Sequence, residues 1–290
     1  MSATLIIGSQ WGDEGKGKII DSLSQNADII IRFQGGNNAG HTVINSFGTF
    51  KMHLVPSGIF QKGSIACISN GVVIDIEVLI EEIEMLEKSG IKLSRRLFIS
   101  PRCHIILPYH KSLDTLYETA KGKGKVGTTG RGIGPVYADK VSYNGIRISD
   151  FMNKKKLQEK LTVQHSVKNK ILVALGEKPL KVLDIEKKLA PYREKIKSYV
   201  QEPYPLIQEA LKKNKKILLE GAQAVFLDND WGTYPYVTAS TVVSGGVTSG
   251  AGIAPNKLNE IVGVFKAYTT RVGEGPFPTE LPNGIGKILR

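Results

Sequence analysis

Short apolar runs alternate with polar, glycine-rich turns over the first seventy positions. Residues 4–7 form the first run, a glycine-rich turn follows, and a short helix is predicted from about Lys18. A second run over 28–33 ends in a second glycine-rich turn. This order predicts an α/β fold: a mostly parallel central sheet with a phosphate-loop-like turn after the first strand. Val43-Ile44 and residues 49–54 flank Asn45-Ser46-Phe47-Gly48, which predicts a hairpin, and 64–69 is a further β-branched run before Asn70-Gly71. Asp75 is placed to cap a helix. Ile76, Leu79, Ile83 and Leu86 recur there at helical spacing with acidic residues between them, and Gly90 is the stop, so one apolar stripe packs on the sheet.

A strand over 97–100 and a helix over 109–120 come next, then a glycine- and lysine-rich stretch over 122–135 that is predicted to be irregular. From 150 to 213 the pattern is helical and basic, and Pro179, Pro191, Pro203 and Pro205 are expected to divide it into several helices. The chain then returns to strand over 216–219, a loop over 220–228 and a final strand over 260–267. There is no internal repeat and no low-complexity tract. Residues 1–290 therefore read as a single domain carrying a helical, basic insert at about 150–213.

Composition narrows the class without choosing a function. A chain of 290 residues, 41% of them hydrophobic, can bury a substantial core. No run approaches the ~18 consecutive apolar residues of a membrane span, and no signal pattern follows Met1, so a cytoplasmic protein without a membrane partner is expected. Cys67 and Cys103 stand far apart without metal-ligand spacing and read as small buried hydrophobes. The net charge of +12 favours anionic partners. Much of that excess lies in the insert, where lysines are scattered among leucines and glutamates; this is the pattern of a solvated helix face, and no nucleic-acid partner is expected.

The glycine-rich turns carry the chemistry. Gly12-Asp13-Glu14-Gly15-Lys16-Gly17-Lys18 has the spacing of a phosphate loop between a strand and a helix, where backbone N–H groups, a helix N-terminus and two lysines converge on one anionic site. Ile19 stands where a Ser or Thr would usually ligate Mg²⁺, which leaves Asp13 as the oxygen donor within the loop. Gly35-Gly36-Asn37-Asn38-Ala39-Gly40-His41-Thr42 ends the second strand, on the same edge of a parallel sheet, so two loops can face one ligand. Gly127-Thr128-Thr129-Gly130-Arg131-Gly132-Ile133-Gly134-Pro135 offers hydroxyls and small residues for a close anion. Glu220-Gly221-Ala222-Gln223 and Gly232-Thr233-Tyr234-Pro235-Tyr236-Val237-Thr238 repeat the theme after an apolar strand; turn chemistry alone would also account for Gln223 and Thr238.

In order and spacing these strings, together with Gln10-Trp11 before the first and TRVGEGPFPTE at 270–280, resemble adenylosuccinate synthetase along the whole chain. The resemblance implies a ligase of AMP biosynthesis, joining IMP and L-aspartate with GTP as co-substrate and Mg²⁺ as cofactor, in a homodimer. It implies a catalytic set of Asp13, His41, Lys16 and Gln223. Asp13 would take the N1 proton of IMP, so that the 6-oxygen attacks the γ-phosphate, and His41 would act as an acid from the opposite side. Aspartate's amine would then displace phosphate. It assigns the loop Gly12, Asp13, Glu14, Gly15, Lys16, Gly17 and Lys18, with Gly40, His41 and Thr42, to the GTP phosphates. For IMP it implies Asp13, Glu14, Gly15, Lys16, Asn38, Ala39, Gly40, His41, Thr129, Gln223 and Thr238; Gln223 would meet the base, and Asn38, Thr129 and Thr238 the 5′-phosphate. Asp13 and the Gly40 carbonyl would ligate Mg²⁺.

Three departures stand against the family pattern. Tyr143 takes the place of an arginine that reaches the partner subunit's IMP site, although Arg147 follows closely. Ala224 replaces a glycine after Glu-Gly-Ala-Gln. The family pattern also continues past Glu280 into an aspartate-receiving loop and a guanine-reading segment, neither of which precedes Arg290. The expectation is a C-terminally incomplete member; the alternative is a catalytically impaired purine-nucleotide-binding protein on the same scaffold.

Overall fold

Ile29, Ile30 and Ile31 are consecutive and all buried, as are Leu5-Ile6 and Leu218-Leu219. Strands apolar on both faces belong in a sheet covered on both sides, which is the parallel arrangement. The computed structural model describes residues 3–289 and has that arrangement. Its strands are β1 (Ala3–Gly8), β2 (Ile29–Arg32), β3 (His41–Asn45), β4 (Gly48–Met52), β5 (Ile65–Ile68), β6 (Val73–Asp75), β7 (Leu97–Ile99), β8 (His104–Ile106), β9 (Ile217–Glu220) and β10 (Leu258–Val264). The central sheet runs β10-β1-β9-β2-β5-β7, and all of its pairings are parallel. Strands β3 and β4 form the expected hairpin, closed at Asn45 opposite Gly48, and β6 and β8 make a small parallel pair.

The helices are α1 (Lys16–Ser24), α2 (Ile76–Lys88), α3 (Pro108–Ala120), α4 (Ile133–Val141), α5 (Ile148–Phe151), α6 (Lys154–Ala174), α7 (Val182–Ile196), α8 (Pro203–Lys212), α9 (Gly245–Ala251) and α10 (Gly284–Leu289). Side-chain alternation on the strands sorts the layers. Leu5, Ile29, Ile31, Ile217 and Leu219 pack with Ile207 of α8 and Val247 of α9, whereas Ile6, Ile30 and Leu218 meet Ile20 of α1 on the other face. Asp75 caps α2, accepting from the Glu77 N–H at 3.3 Å, and Gly90 follows the helix end at φ +81°. The α2 stripe joins the largest core together with Leu157 and Leu161 of α6 and Ile185, Leu189 and Ile196 of α7, so the basic insert packs its apolar side against the first half of the chain.

Some sequence expectations need correction. Residues 122–135 are not irregular throughout: α4 begins at Ile133, with Pro135 in its first turn, where the missing N–H would have had no partner in any case. Pro191 does not divide the insert but lies within α7. An interior proline costs about 3 kcal/mol, and here buried Ile185, Leu189 and Ile196 anchor the helix on both sides of it. Pro205 also lies inside a helix, in the first turn of α8, while Pro179 and Pro203 do mark breaks. Strand β10 starts two residues earlier than expected and ends at Val264.

Candidate active site

Because β9 lies between β1 and β2, the loops leaving the carboxyl ends of all three stand side by side on one edge of the sheet. With residues 126–134 and 236–239 they enclose a cleft of about 720 Å³. The first loop turns through three left-handed residues, Gly12 (φ +94°), Asp13 (+57°) and Gly15 (+85°). Glu14 holds that shape. Its buried carboxylate accepts the Gln10 N–H at 3.1 Å and the Gly12 N–H at 2.9 Å and pairs with Lys16 Nζ at 2.5 Å. A Cβ on Gly8 would lie 2.5 Å from that carboxylate, so only glycine fits there. Burial lowers the Lys16 pKa, opposed by the Glu14 charge. Gly15 caps α1 without a side-chain acceptor, leaving the first N–H groups of the helix for a ligand.

The second loop is locked to the first. A Cβ on Gly17 would meet the His41 ring at 2.5 Å, so the imidazole lies directly on the start of α1. His41 Nε2 is 2.6 Å from Ser57 Oγ and 3.9 Å from Glu220 Oε1. Burial lowers its pKa, with Glu220 opposing, so the ring is neutral at neutral pH. Asn38 sits between two other motifs: Gln223 Nε2 donates to Asn38 Oδ1 at 3.0 Å, and Asn38 Nδ2 donates to Thr238 Oγ1 at 3.4 Å. Gln223, at φ +55°, lines the cleft, and among the described residues its buried Oε1, close to Gly35, has no hydrogen-bond partner.

The cleft lining gathers Gly12, Asp13, Gly15, Lys16, Gly17 and Lys18 with Asn38, Ala39, Gly40, His41 and Thr42, and adds Thr129, Gln223 and Thr238. Of the expected residues only Glu14 is absent from it. Its side chain is engaged inside the loop by two backbone N–H groups and Lys16. Sequence reading missed several contributors. Arg32 is buried at the end of β2 and donates to Glu220 at 2.8 Å; a lone cation closing an apolar strand was its signal. Asp114, on α3, accepts the Gly132 N–H at 2.9 Å and so fixes the 127–135 loop, while Arg131 of that loop bonds the Asn37 carbonyl. Arg271 reaches in from the last motif, 5.5 Å over the Trp11 ring, and donates to Thr233 Oγ1 at 3.2 Å.

Comparison with known proteins agrees with this geometry. The family model for adenylosuccinate synthetase matches residues 5–290. The chain belongs to the adenylosuccinate synthetase family. It is 49% identical to the adenylosuccinate synthetase of Clostridium novyi and 52% identical to that of Lactobacillus gasseri, covering 100% of this chain and 68% of each relative. The fully ligated adenylosuccinate synthetase from Plasmodium falciparum superposes with a TM-score of 0.92 at 41% identity, over 100% of this chain and 68% of that one. A cyanophage S-2L succinoaminodeoxyadenylate synthetase, bound to dGMP and dATP, shares the fold at a TM-score of 0.62 and 20% identity, over 91% of this chain and 64% of that one. Adenylosuccinate synthetases are ligases of AMP biosynthesis that join IMP and aspartate with GTP as co-substrate. Identity of about half over the whole chain favours that function over the non-catalytic alternative. Among the described residues no helix is long and apolar enough to cross a membrane.

Proposed function

We propose that the cleft binds IMP beside the phosphates of GTP and that Asp13, Lys16, His41 and Gln223 carry the reaction. The observation that supports this reading best is the convergence of loops from β1, β2 and β9 on one cavity, with Asp13 and His41 both lining it. Asp13, an exposed carboxylate in a left-handed turn, takes the N1 proton of IMP, and the 6-oxygen then forms its bond to the γ-phosphorus as the bond to GDP breaks. Lys16 and the free N–H groups at the start of α1 stabilise the charge that develops on the phosphates. His41 donates a hydrogen bond to the departing phosphate. The amine of aspartate displaces phosphate from C6, giving adenylosuccinate, GDP and phosphate. Gln223 hydrogen-bonds the purine, and Asn38, Thr129 and Thr238 bind the 5′-phosphate.

The donor chemistry suits Mg²⁺. Asp13 and the Gly40 carbonyl are hard oxygen donors on one cavity, and Mg²⁺ usually takes one or two protein oxygens and completes its shell with water and phosphate. Among the described residues no three acidic, His or Cys side chains could hold a metal by themselves, in keeping with a metal shared with the nucleotide. When bound, the ion neutralises phosphate charge. We read the assembly as a homodimer, with Val141 (72% exposed) and Tyr143 (97% exposed) at the end of α4 as the surface offered. Location in the cytoplasm follows from the substrates. The test is to assay the 290-residue chain with IMP, aspartate, GTP and Mg²⁺, and IMP binding by calorimetry. Adenylosuccinate formation that requires all four is the expected outcome; failure to bind IMP would overturn the assignment of the cleft.

A further inference from the structure

Ser57 belongs to none of the glycine-rich motifs, yet it is the residue closest to the His41 ring nitrogen. It opens a short 3-10 turn (Ser57–Phe60) after Pro56 and is fully buried. Its Oγ lies 2.6 Å from His41 Nε2. The hydroxyl is held independently of His41. The Ser57 backbone N–H donates to Glu220 Oε2 at 2.8 Å, and Glu220 Oε1 takes Arg32 Nη1 at 2.8 Å, all within the buried end of β2 and β9.

A buried hydroxyl must place its proton on an acceptor, because an unmet donor in a dry site is costly. Among the described residues the one hydrogen-bond partner of Ser57 Oγ is His41 Nε2. If Nε2 carried the ring proton and donated it to Ser57, the hydroxyl proton would be left without an acceptor. Glu220 does not rescue that arrangement: among the described residues no hydrogen bond joins Ser57 Oγ to its carboxylate, whose Oε2 takes the Ser57 backbone N–H and whose Oε1 takes Arg32. Among the described residues the other ring nitrogen, Nδ1, has no hydrogen-bond partner; it is not a buried atom, and His41 lines the cleft.

We propose that Ser57 is a positioning residue that sets the His41 tautomer: its O–H donates to Nε2, the ring proton stays on Nδ1, and His41 presents an N–H to the phosphate. This inference rests on the reading of the cleft given above, which needs a donor rather than a lone pair at that nitrogen. Ser57 is distant from the motif strings in sequence. It acts through the ring, with the Arg32–Glu220 pair as its support.

The tautomer can be read without turnover. In the chain labelled with ¹⁵N-histidine, a long-range ¹H–¹⁵N correlation spectrum at neutral pH distinguishes protonated from bare ring nitrogens for the five histidines, with His41 assigned by loss of its signals in His41→Asn. His110 is the internal reference of opposite kind, because its Nδ1 accepts the Leu107 N–H and its Nε2 faces Asp139 at 3.0 Å. The expected result is a proton on His41 Nδ1 in the wild type and in Ser57→Thr, with loss of that preference in Ser57→Ala while the His110 signals stay in place. A wild-type ring protonated on Nε2, or a Ser57→Ala spectrum unchanged at His41, would overturn the proposal. Should Ser57→Ala fail to fold, the wild type and Ser57→Thr decide it, since both must show the Nδ1 proton. In turnover, Ser57→Ala should lower kcat about tenfold or more with the KM for GTP little changed, and Ser57→Thr should restore it; an unaltered kcat would count against the role. If His41→Asn turns over normally, the catalytic reading of His41 fails on its own, and the tautomer measurement still stands.

Discussion

Asp13 occupies a left-handed backbone position that asparagine also tolerates, so the exchange Asp13→Asn changes charge and basicity with little change of shape. Turnover should vanish while nucleotide binding persists; near-normal turnover would remove Asp13 from the base role. Asp13, Lys16 and His41 were legible in the sequence because phosphate chemistry demands glycines and charges at fixed short spacing. The same spacing points to Glu14, and only the fold reveals that two backbone N–H groups and Lys16 engage its carboxylate. Ser57 and Asp114 were illegible, since each acts through a contact made by folding, across 16 residues to His41 and 18 to Gly132. A titrating residue outside the cleft gives a second prediction. Burial, reinforced by Lys140, Arg147 and Lys160, pushes the His104 pKa down to about 4, against about 6.5 for an unperturbed histidine. As pH falls the unfolded chain therefore takes up this proton first. The stability from the neutral ring is full above about pH 6.5 and is lost progressively towards pH 4. Urea denaturation at pH 7 and pH 5 should show a loss through this group of about 1 to 2 kcal/mol, which His104→Asn removes. An equal acid loss in the variant would assign the sensitivity to other groups.

At the level of elements, the apolar strands, the hairpin and the α2 helix follow from periodicity, because each is specified by its own residues. Glycine-rich α9 contradicts local propensity and forms against the sheet, where its Val247 and Ala251 are buried, whereas Ile133 and Val136 of α4 are buried with Val73 of β6 and Ile106 of β8. Strands β6 and β8 are only three residues each and leave no periodic trace. The junction of β2 with β9 makes a sharper case. Arg32 and Glu220 are in register on neighbouring strands, 2.8 Å apart and almost wholly buried, although 188 residues separate them. Removing one member strands the other charge in a dry site, so Glu220→Ala should cost about 3 to 5 kcal/mol in denaturant unfolding. Replacing both with apolar residues, Arg32→Met with Glu220→Leu, removes the stranded charge and should cost clearly less. A double variant as unstable as Glu220→Ala would show that the cost lies in lost packing or in the freed Ser57 N–H rather than in the charge.

For the whole molecule, what the sequence could not supply was strand order: nothing local reveals that residues 217–220 enter between the first two strands, and that insertion brings Gln223 beside Asn38. Among the described residues the same order leaves β10 at one edge of the sheet, where it pairs with β1. The opposite edge, β7, is three residues long and is bridged by Val200. Strand β10 has seven residues, with Ile261 52% exposed and Phe265 just beyond it 69% exposed. A long, partly apolar edge strand is a template for another strand. The net charge of +12 opposes such pairing by repulsion between molecules, and salt screens that repulsion over ~10 Å at 0.1 M. Light scattering of the concentrated chain should therefore rise with added sodium chloride. Ile261→Lys places a charge on the edge without entering the core, so it should blunt that rise several-fold while leaving the far-ultraviolet circular dichroism unchanged. If the variant scatters as strongly as the wild type in high salt, self-association proceeds through another surface, and the exposed Trp231 and Tyr234 become the next residues to substitute.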